Sequence, residues 1–167
     1  YKEVFPLIKE NKMWLGVPFS NGNAYFRPGI HSEYATGVYN EETNLVKFRN
    51  CIWLTNLEHG RRHQPLTLMT MEDNLRYNKK MKNKEGYDHY DNYDAIEVPY
   101  TDAIPSDYEG VMGVPISFLD KYCPEQFESL GCNRGVPQDS NGVYGRSTYI
   151  NGKEVFKRLF IQRKLKS

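Results

Sequence analysis

The sequence predicts an α/β fold that ends in a β-hairpin, and three observations carry that prediction. A helical period at the start of the chain runs into a short apolar segment. Two apolar runs, residues 13–17 and 51–57, lack clean alternation and read as strands buried on both faces of a helix-covered sheet. Near the C-terminus, Asn151-Gly152 separates two β-prone runs, the signature of a two-residue hairpin turn whose residues both need φ > 0.

In residues 1–11, Tyr1, Val4, Phe5 and Ile8 recur at helical spacing, with Lys2, Glu3, Lys9 and Glu10 on the other face. Pro6 is compatible with a helix only inside its first turn or at a kink. The run 13–17 is closed by Pro18 and is too short for a helix. Gly22, residues 27–29 and residues 40–44 supply turn signals, and residues 45–48 lead toward the second strand, 51–57. Residues 77–94, rich in Tyr and Asn, read as a solvated connection, with a short strand at 95–98 after it. Residues 117–122 predict one or two helical turns before Pro124, and residues 127–130 a strand. The hairpin follows, its second strand taken as one element over 153–164.

At 167 residues, 39% hydrophobic and 26% charged, the chain is a folded one, sized for one domain or two small ones sharing a core. No run approaches the roughly 20 apolar residues of a membrane span. The chain opens at Tyr1 without an initiator Met, which reads as a fragment of something longer. Three cysteines, Cys51, Cys123 and Cys132, are odd in number and lack zinc-site spacing, so they read as free thiols of a cytoplasmic protein.

The 22 Lys and Arg against 21 Asp and Glu leave a net charge of +1, so any electrostatic site is local. Residues 61–86 carry seven cations against three acids, and residues 87–109 carry seven acids and no Lys or Arg. The last segment is basic again: Arg146, Lys153, Lys157, Arg158, Arg163, Lys164 and Lys166 against Glu154 alone. Along a strand, Lys153, Val155, Lys157, Leu159, Ile161 and Arg163 would share one side, and neither side is purely basic. This pattern suits phosphate contact with nucleic acid, or an edge strand guarded by charge against aggregation.

Other constellations are weaker. Asp88, Asp91 and Asp94 alternate with Tyr87, Tyr90 and Tyr93 but lack the pattern of a calcium loop, and read as a solvated acidic loop with some tyrosines folded back. His59 and His63 have the spacing of a zinc-binding helix, yet Arg61 and Arg62 lie between them and oppose a cation. The common phosphate-loop, dinucleotide and nucleophile-elbow motifs are absent from the sequence.

Several blocks in order, YKEVFPLIKENKMWLG (1–16), NGNAYF (21–26), GVYNEETNLVKFRNCIWLTNLEHGRRH (37–63), YDNYDAIEV (90–98), YEGVMGVPISFLDKYCPEQFE (108–128) and INGKEVFKRLFIQRK (150–164), cover most of the chain. Together they resemble the later half of the EcoRI-type adenine-specific DNA methyltransferases. The resemblance implies a partial, Rossmann-like methyltransferase sheet in residues 1–60. It implies a small α+β target-recognition region in 61–167, ending in the hairpin. The family's S-adenosylmethionine site and its Asn-Pro-Pro-Phe loop precede the first block. Val17-Pro18-Phe19-Ser20 does not replace that loop, because Val17 has no side-chain acceptor for an exocyclic amine.

What the resemblance implies of function is methyl transfer from S-adenosylmethionine to N6 of a flipped adenine in the intact, restriction-modification protein. The isolated chain is expected to be inactive and not to bind the donor. Its partners would be double-stranded DNA and the upstream donor-binding half, with self-association of the fragment as a further expectation. Backbone contacts are expected from Arg61, Arg62, Arg146, Lys157, Arg158, Arg163 and Lys164. Base reading is expected from Asn133, Arg134, Gln138 and Asn141, residue types matched to guanine and adenine edges. Residues 23–26 are candidates for lining the cleft. A non-catalytic DNA-specificity module and a protein-interaction domain presenting its tyrosines remain the alternatives.

Overall fold

The computed structural model describes residues 3–16, 24–29, 38–48, 53–132 and 147–164. The fold is mixed α/β, with several small sheets and few helices. Residues Trp14–Leu57 form one compact unit, and Tyr1–Met13 together with Glu58–Ser167 form the other. The N-terminal helix belongs to the unit formed by the later residues.

In the smaller unit, β1 (Trp14–Leu15) and β5 (Leu54–Thr55) form a two-stranded antiparallel ladder. Strands β2 (Ala24–Phe26), β3 (Tyr39–Asn40) and β4 (Leu45–Phe48) form a second sheet in the order β2-β4-β3. The β3–β4 turn closes at Asn44, whose φ of 51° suits an Asn. The Asn40 side chain accepts the Thr43 N–H at 2.9 Å, a local bond that favours the turn over an extended strand. The apolar runs 13–17 and 51–57 differ from expectation. Their described strand residues are half-buried and pair antiparallel, and Trp53 is exposed, so these strands are not covered on both faces.

The larger unit begins with α1 (Val4–Lys9). Pro6 sits in its first turn, where a missing N–H costs no helical bond, Ile8 is buried, and Asn11 at φ 56° follows the helix end. Helix α2 (Met71–Tyr77) is capped by Thr70, whose hydroxyl accepts the Asp73 N–H at 3.1 Å, while Asp107 accepts the Met71 N–H at 2.8 Å. Two orphan donors of the first turn are thereby satisfied.

The main sheet contains β6 (Ile96–Glu97), β7 (Met112–Val114) and β8 (Phe127–Cys132). After the hairpin strands β9 (Thr148–Ile150) and β10 (Lys153–Val155) comes its remaining member, β11 (Leu159–Arg163). The order is β6-β7-β11-β8, with β6 parallel to β7 and the other pairings antiparallel. Burial on both faces, expected of the earlier strands, is found in β11. Leu159 and Ile161 join Met112, Val114, Phe118 and Phe127 in one apolar cluster, whereas Phe160 joins Tyr90, Tyr93 and Ala95 in another. The period-2 alternation of a strand sends these neighbours to opposite sides.

Two further expectations are corrected. Residues 77–94 are not a solvated connection: Asn78, Met81, Tyr90, Asn92 and Tyr93 are buried, and the Tyr93 and Phe160 rings lie 4.9 Å apart. Tyrosine buries a large ring while its hydroxyl keeps a polar partner, so a polar-looking run still supplies a core. Residues 153–164 are not one strand either. The ladder with β9 ends at Val155, residues 156–158 leave strand geometry, and β11 enters the sheet centre between β7 and β8. An edge-strand reading therefore fits β10 and not β11. Among the described residues, no helix is long and apolar enough to cross a membrane.

Candidate functional site

The hairpin forms as its sequence demands. Asn151 and Gly152 have φ of 51° and 72°, the left-handed pair of a type I′ turn. A carboxylate from the acidic run fixes it: Asp91 accepts the Asn151 N–H at 3.1 Å through Oδ1 and the Gly152 N–H at 2.7 Å through Oδ2. Asn92 completes the clasp by donating to the Ser147 carbonyl at 2.7 Å and accepting the Tyr149 N–H at 3.2 Å. Asp91 is thus a structural acceptor, and Asp88 pairs with Lys84 at 2.7 Å. Among the described residues, no group of three or more His, Cys, Asp or Glu side chains is arranged to hold a metal ion.

Beyond the hairpin, Arg158 turns inward. Its Nε lies 2.9 and 3.0 Å from the two carboxylate oxygens of Glu97, and Nη2 also donates to Oε1. The Tyr90 hydroxyl donates to Oε2 of the same carboxylate. Both members of the ion pair are largely withdrawn from water, with side-chain exposures of 11% and 6%. Burial opposes the Arg158 charge, but the hydrogen bonds and charge of Glu97 outweigh it and hold its pKa above the ordinary value. Burial, reinforced by the neighbouring Glu97 carboxylate, pushes the Tyr90 phenol up.

The other expected backbone-contact residues divide between partnered and open positions. Arg62 is buried and donates to Glu58 and Asn11. Arg61 pairs with Asp120 at 2.8 Å and keeps 44% of its side chain exposed. Arg163 donates to the Ser106 carbonyl, and Lys164 to the Pro124 carbonyl at 2.7 Å. Lys157 is exposed, as is Lys153. Arg146 and the expected base readers Asn133, Arg134, Gln138 and Asn141 lie outside the described residues, as does Asn23. The structure brings Lys157 and Arg158 together in one groove, and the other described candidates hold separate elements in place.

That groove, of about 550 Å³, runs between residues 115–117 and 154–158. Ile116 and Phe156, exposed at 55% and 81%, flank it beside Lys157. The Arg158 guanidinium carbon lies 5.9 Å from the Phe156 ring centroid, within cation–π range. Charge alone does not single out Phe156; the signal for it in the sequence is an aromatic residue set inside Val155-Phe156-Lys157-Arg158.

The two-histidine spacing resolves into a different arrangement. Residues Gly60–His63 form a 3₁₀ turn, and the His63 ring lies between Glu58, at 2.8 Å from Nε2, and Glu125, at 2.6 Å from Nδ1. Hydrogen bonds from Glu58 and then Glu125 raise the His63 pKa. Cys123 is buried with a free thiol that donates to Glu125 at 3.1 Å.

Comparison with known proteins agrees with the block resemblance. The family model described as adenine-specific methyltransferase EcoRI matches residues 1–164. The chain is 44% identical over 153 residues to the Type II methyltransferase M.EcoRI of Escherichia coli, covering 90% of this chain and 44% of that protein. It is 34% identical over 141 residues to the Type II methyltransferase M.MgeORF184P of Mycoplasma genitalium, covering 79% and 40%. It is also 29% identical over 179 aligned positions to the Type II methyltransferase M.MpnI of Mycoplasma pneumoniae, covering 98% and 53%. The chain therefore spans about half the length of the curated relatives it matches. No solved structure matches. With a family match over nearly the whole chain, the protein belongs to the EcoRI family of adenine-specific methyltransferases.

Proposed function

We propose that this chain is the DNA-engaging portion of a site-specific adenine-N6 DNA methyltransferase of restriction-modification type. The family match over residues 1–164 carries the reading, combined with coverage of about half of each relative. Residues 1–60 would contribute the later part of a methyltransferase-like sheet, and residues 61–167 the target-recognition region. Double-stranded DNA and the donor-binding portion of the same protein are the proposed partners, and the cytoplasm the proposed compartment.

The family implies S-adenosylmethionine as the methyl donor, but the described residues do not fit it. The groove between residues 115–117 and 154–158 has one carboxylate, Glu154, and its Arg158 guanidinium is already engaged by Glu97, a poor match to the ribose and adenine of the donor. The buried atoms Asn74 Oδ1, Ser129 Oγ and Arg163 Nε, which lack a hydrogen-bond partner, sit on different elements, α2, β8 and β11. No chemical step through the donor is assigned to these residues, and isothermal titration of the chain with S-adenosylmethionine should show no saturable heat.

For backbone contact the geometry favours Lys153, Lys157 and Arg61, which reach solvent, over the buried Arg62 and the half-buried Arg158, whose charges are engaged in ion pairs. Arg146, Asn133, Arg134, Gln138 and Asn141 remain proposed contacts, on sequence grounds. The test is duplex DNA binding by the chain across a salt series. Affinity should fall steeply with salt, and Lys157→Ala should reduce the slope by about one unit, the loss of one phosphate contact. No binding at low salt would defeat the DNA-engaging assignment.

A further inference from the structure

We propose that Phe156 is an aromatic wedge that enters the base stack of duplex DNA, with Lys153 and Lys157 on the flanking phosphates. The inference rests on the DNA-engaging reading above.

Phe156 has the highest exposure, 81%, of the exposed large apolar side chains among the described residues. It sits in the short link 156–158 where the hairpin hands over to the central strand. An unburied phenyl ring contributes little to folding, and together with the exposed Ile116 across the same groove it makes an apolar patch of the kind that marks an interaction site.

The backbone that carries the ring is anchored. Thr148, fully buried, donates its hydroxyl to the Phe156 carbonyl at 3.0 Å, which fixes the backbone. The Arg158 guanidinium carbon lies 5.9 Å from the ring centroid, and Arg158 is itself locked by Glu97. A backbone already fixed before binding loses less entropy when the ligand arrives.

The surroundings select the ligand. Lys153 and Lys157 are exposed on either side of the ring in sequence and outnumber the one exposed carboxylate between them, Glu154, while Ile116 adds a second apolar contact across the groove. Cations flanking an exposed apolar ring complement a duplex whose phosphates lie on either side of a base step that such a ring can enter. An apolar side chain inserted at a base step partly unstacks it and distorts the duplex, which lowers the cost of extruding a neighbouring base. An apolar protein surface would gain nothing from the lysines, so duplex DNA is the occupant that the charges favour.

The experiment compares the wild-type chain with Phe156→Ala, Phe156→Trp and Lys157→Ala. Binding to duplex DNA is measured across salt, and unwinding of relaxed closed-circular DNA by topoisomer shift at matched occupancy. Phe156→Ala should weaken binding about tenfold or more, the loss of one stacking contact, with its salt slope unchanged. It should also abolish unwinding, which Phe156→Trp retains, and Lys157→Ala should lower the slope while unwinding persists at matched occupancy. If the wild type binds DNA but Phe156→Ala matches it in affinity and unwinding, the wedge is wrong and the DNA-engaging reading stands. If Phe156→Ala instead changes only the self-association of the chain in sedimentation, the patch is a protein contact and the wedge is equally overturned. Absence of wild-type binding at low salt overturns both.

Discussion

The Tyr90 ring lies so close over the backbone of Gly113 that a β-carbon at 113 would fall 2.8 Å from ring atoms Cε2 and Cζ, and closer still to the hydroxyl. The ring has little freedom to retreat, since it packs on Tyr93 and Phe160 and donates to Glu97. Gly113 lies in β7 next to β11, with which it pairs at Phe160, so the backbone is equally fixed.

Gly113→Ala should therefore destabilise the fold by about 1–3 kcal/mol through overpacking. Urea denaturation measures it. The cost should shrink when Tyr90 is first replaced by Leu, and strictly additive costs in that double-mutant cycle would show that the ring is not the obstacle.

The Glu97–Arg158 pair makes a second, larger effect. Glu97→Gln leaves a largely enclosed guanidinium without its counter-charge, and breaking such a pair from one side costs about 3 kcal/mol, the low end for buried pairs because Arg158 keeps some contact with water. Replacing both residues by apolar side chains of similar volume should recover most of that loss. Arg158→Ala should accordingly reduce thermal stability, whereas Lys157→Ala, at an exposed position, should leave the melting temperature unchanged while altering DNA binding.

The contrast between Lys157 and Arg158 shows which parts of the site were legible. Both are cations in one basic run, and composition cannot separate them, because the partner of Arg158 lies 61 residues away in β6. The same distance problem hid the core role of Tyr90 and Tyr93, whose partner Phe160 follows them by more than sixty positions. Local signals did better. Asn151-Gly152 marks its turn because both residues need φ > 0, and the 3₁₀ helix Ile116–Lys121 and strand β8 lie where residues 117–122 and 127–130 predict them. Continuous apolar runs misled at 13–17 and 51–57, since apolarity alone does not say whether a short strand is covered on one face or both.

The turn clasp predicts a local effect. Asp91→Ala removes the acceptor of two turn amides, and loss of such a hydrogen bond to a charged group costs roughly 1.5–3 kcal/mol. Amide exchange at Asn151 and Gly152 should accelerate strongly, while amides of β11 exchange as in the wild type. Equal acceleration in both places would mean that hairpin and sheet open as one unit.

His63 sets the expected pH dependence of the contact between the 3₁₀ turn and residue 125. Its pKa is raised above 6.5 by the hydrogen bond with Glu58 and then that with Glu125, so its contribution to stability is full below 6.5 and is lost as pH rises through the raised folded value. Glu58 is lowered below 4.5, chiefly by its bond with His63. Glu125 is lowered too, because bonds from Cys123 and His63 outweigh the effect of burial. The carboxylate contributions are therefore full above 4.5 and are lost as pH falls through the lowered values. The cluster holds the two segments together best between those limits, and its exposure keeps the effect on global stability small. Titration of the His63 ring protons by NMR should give a value above 6.5. Glu58→Gln should lower it more than Glu125→Gln, because the Glu58 bond is the largest cause of the shift. A wild-type value at or below 6.5, or the reverse ranking of the two variants, would mean that the ring does not sit between the two carboxylates in solution.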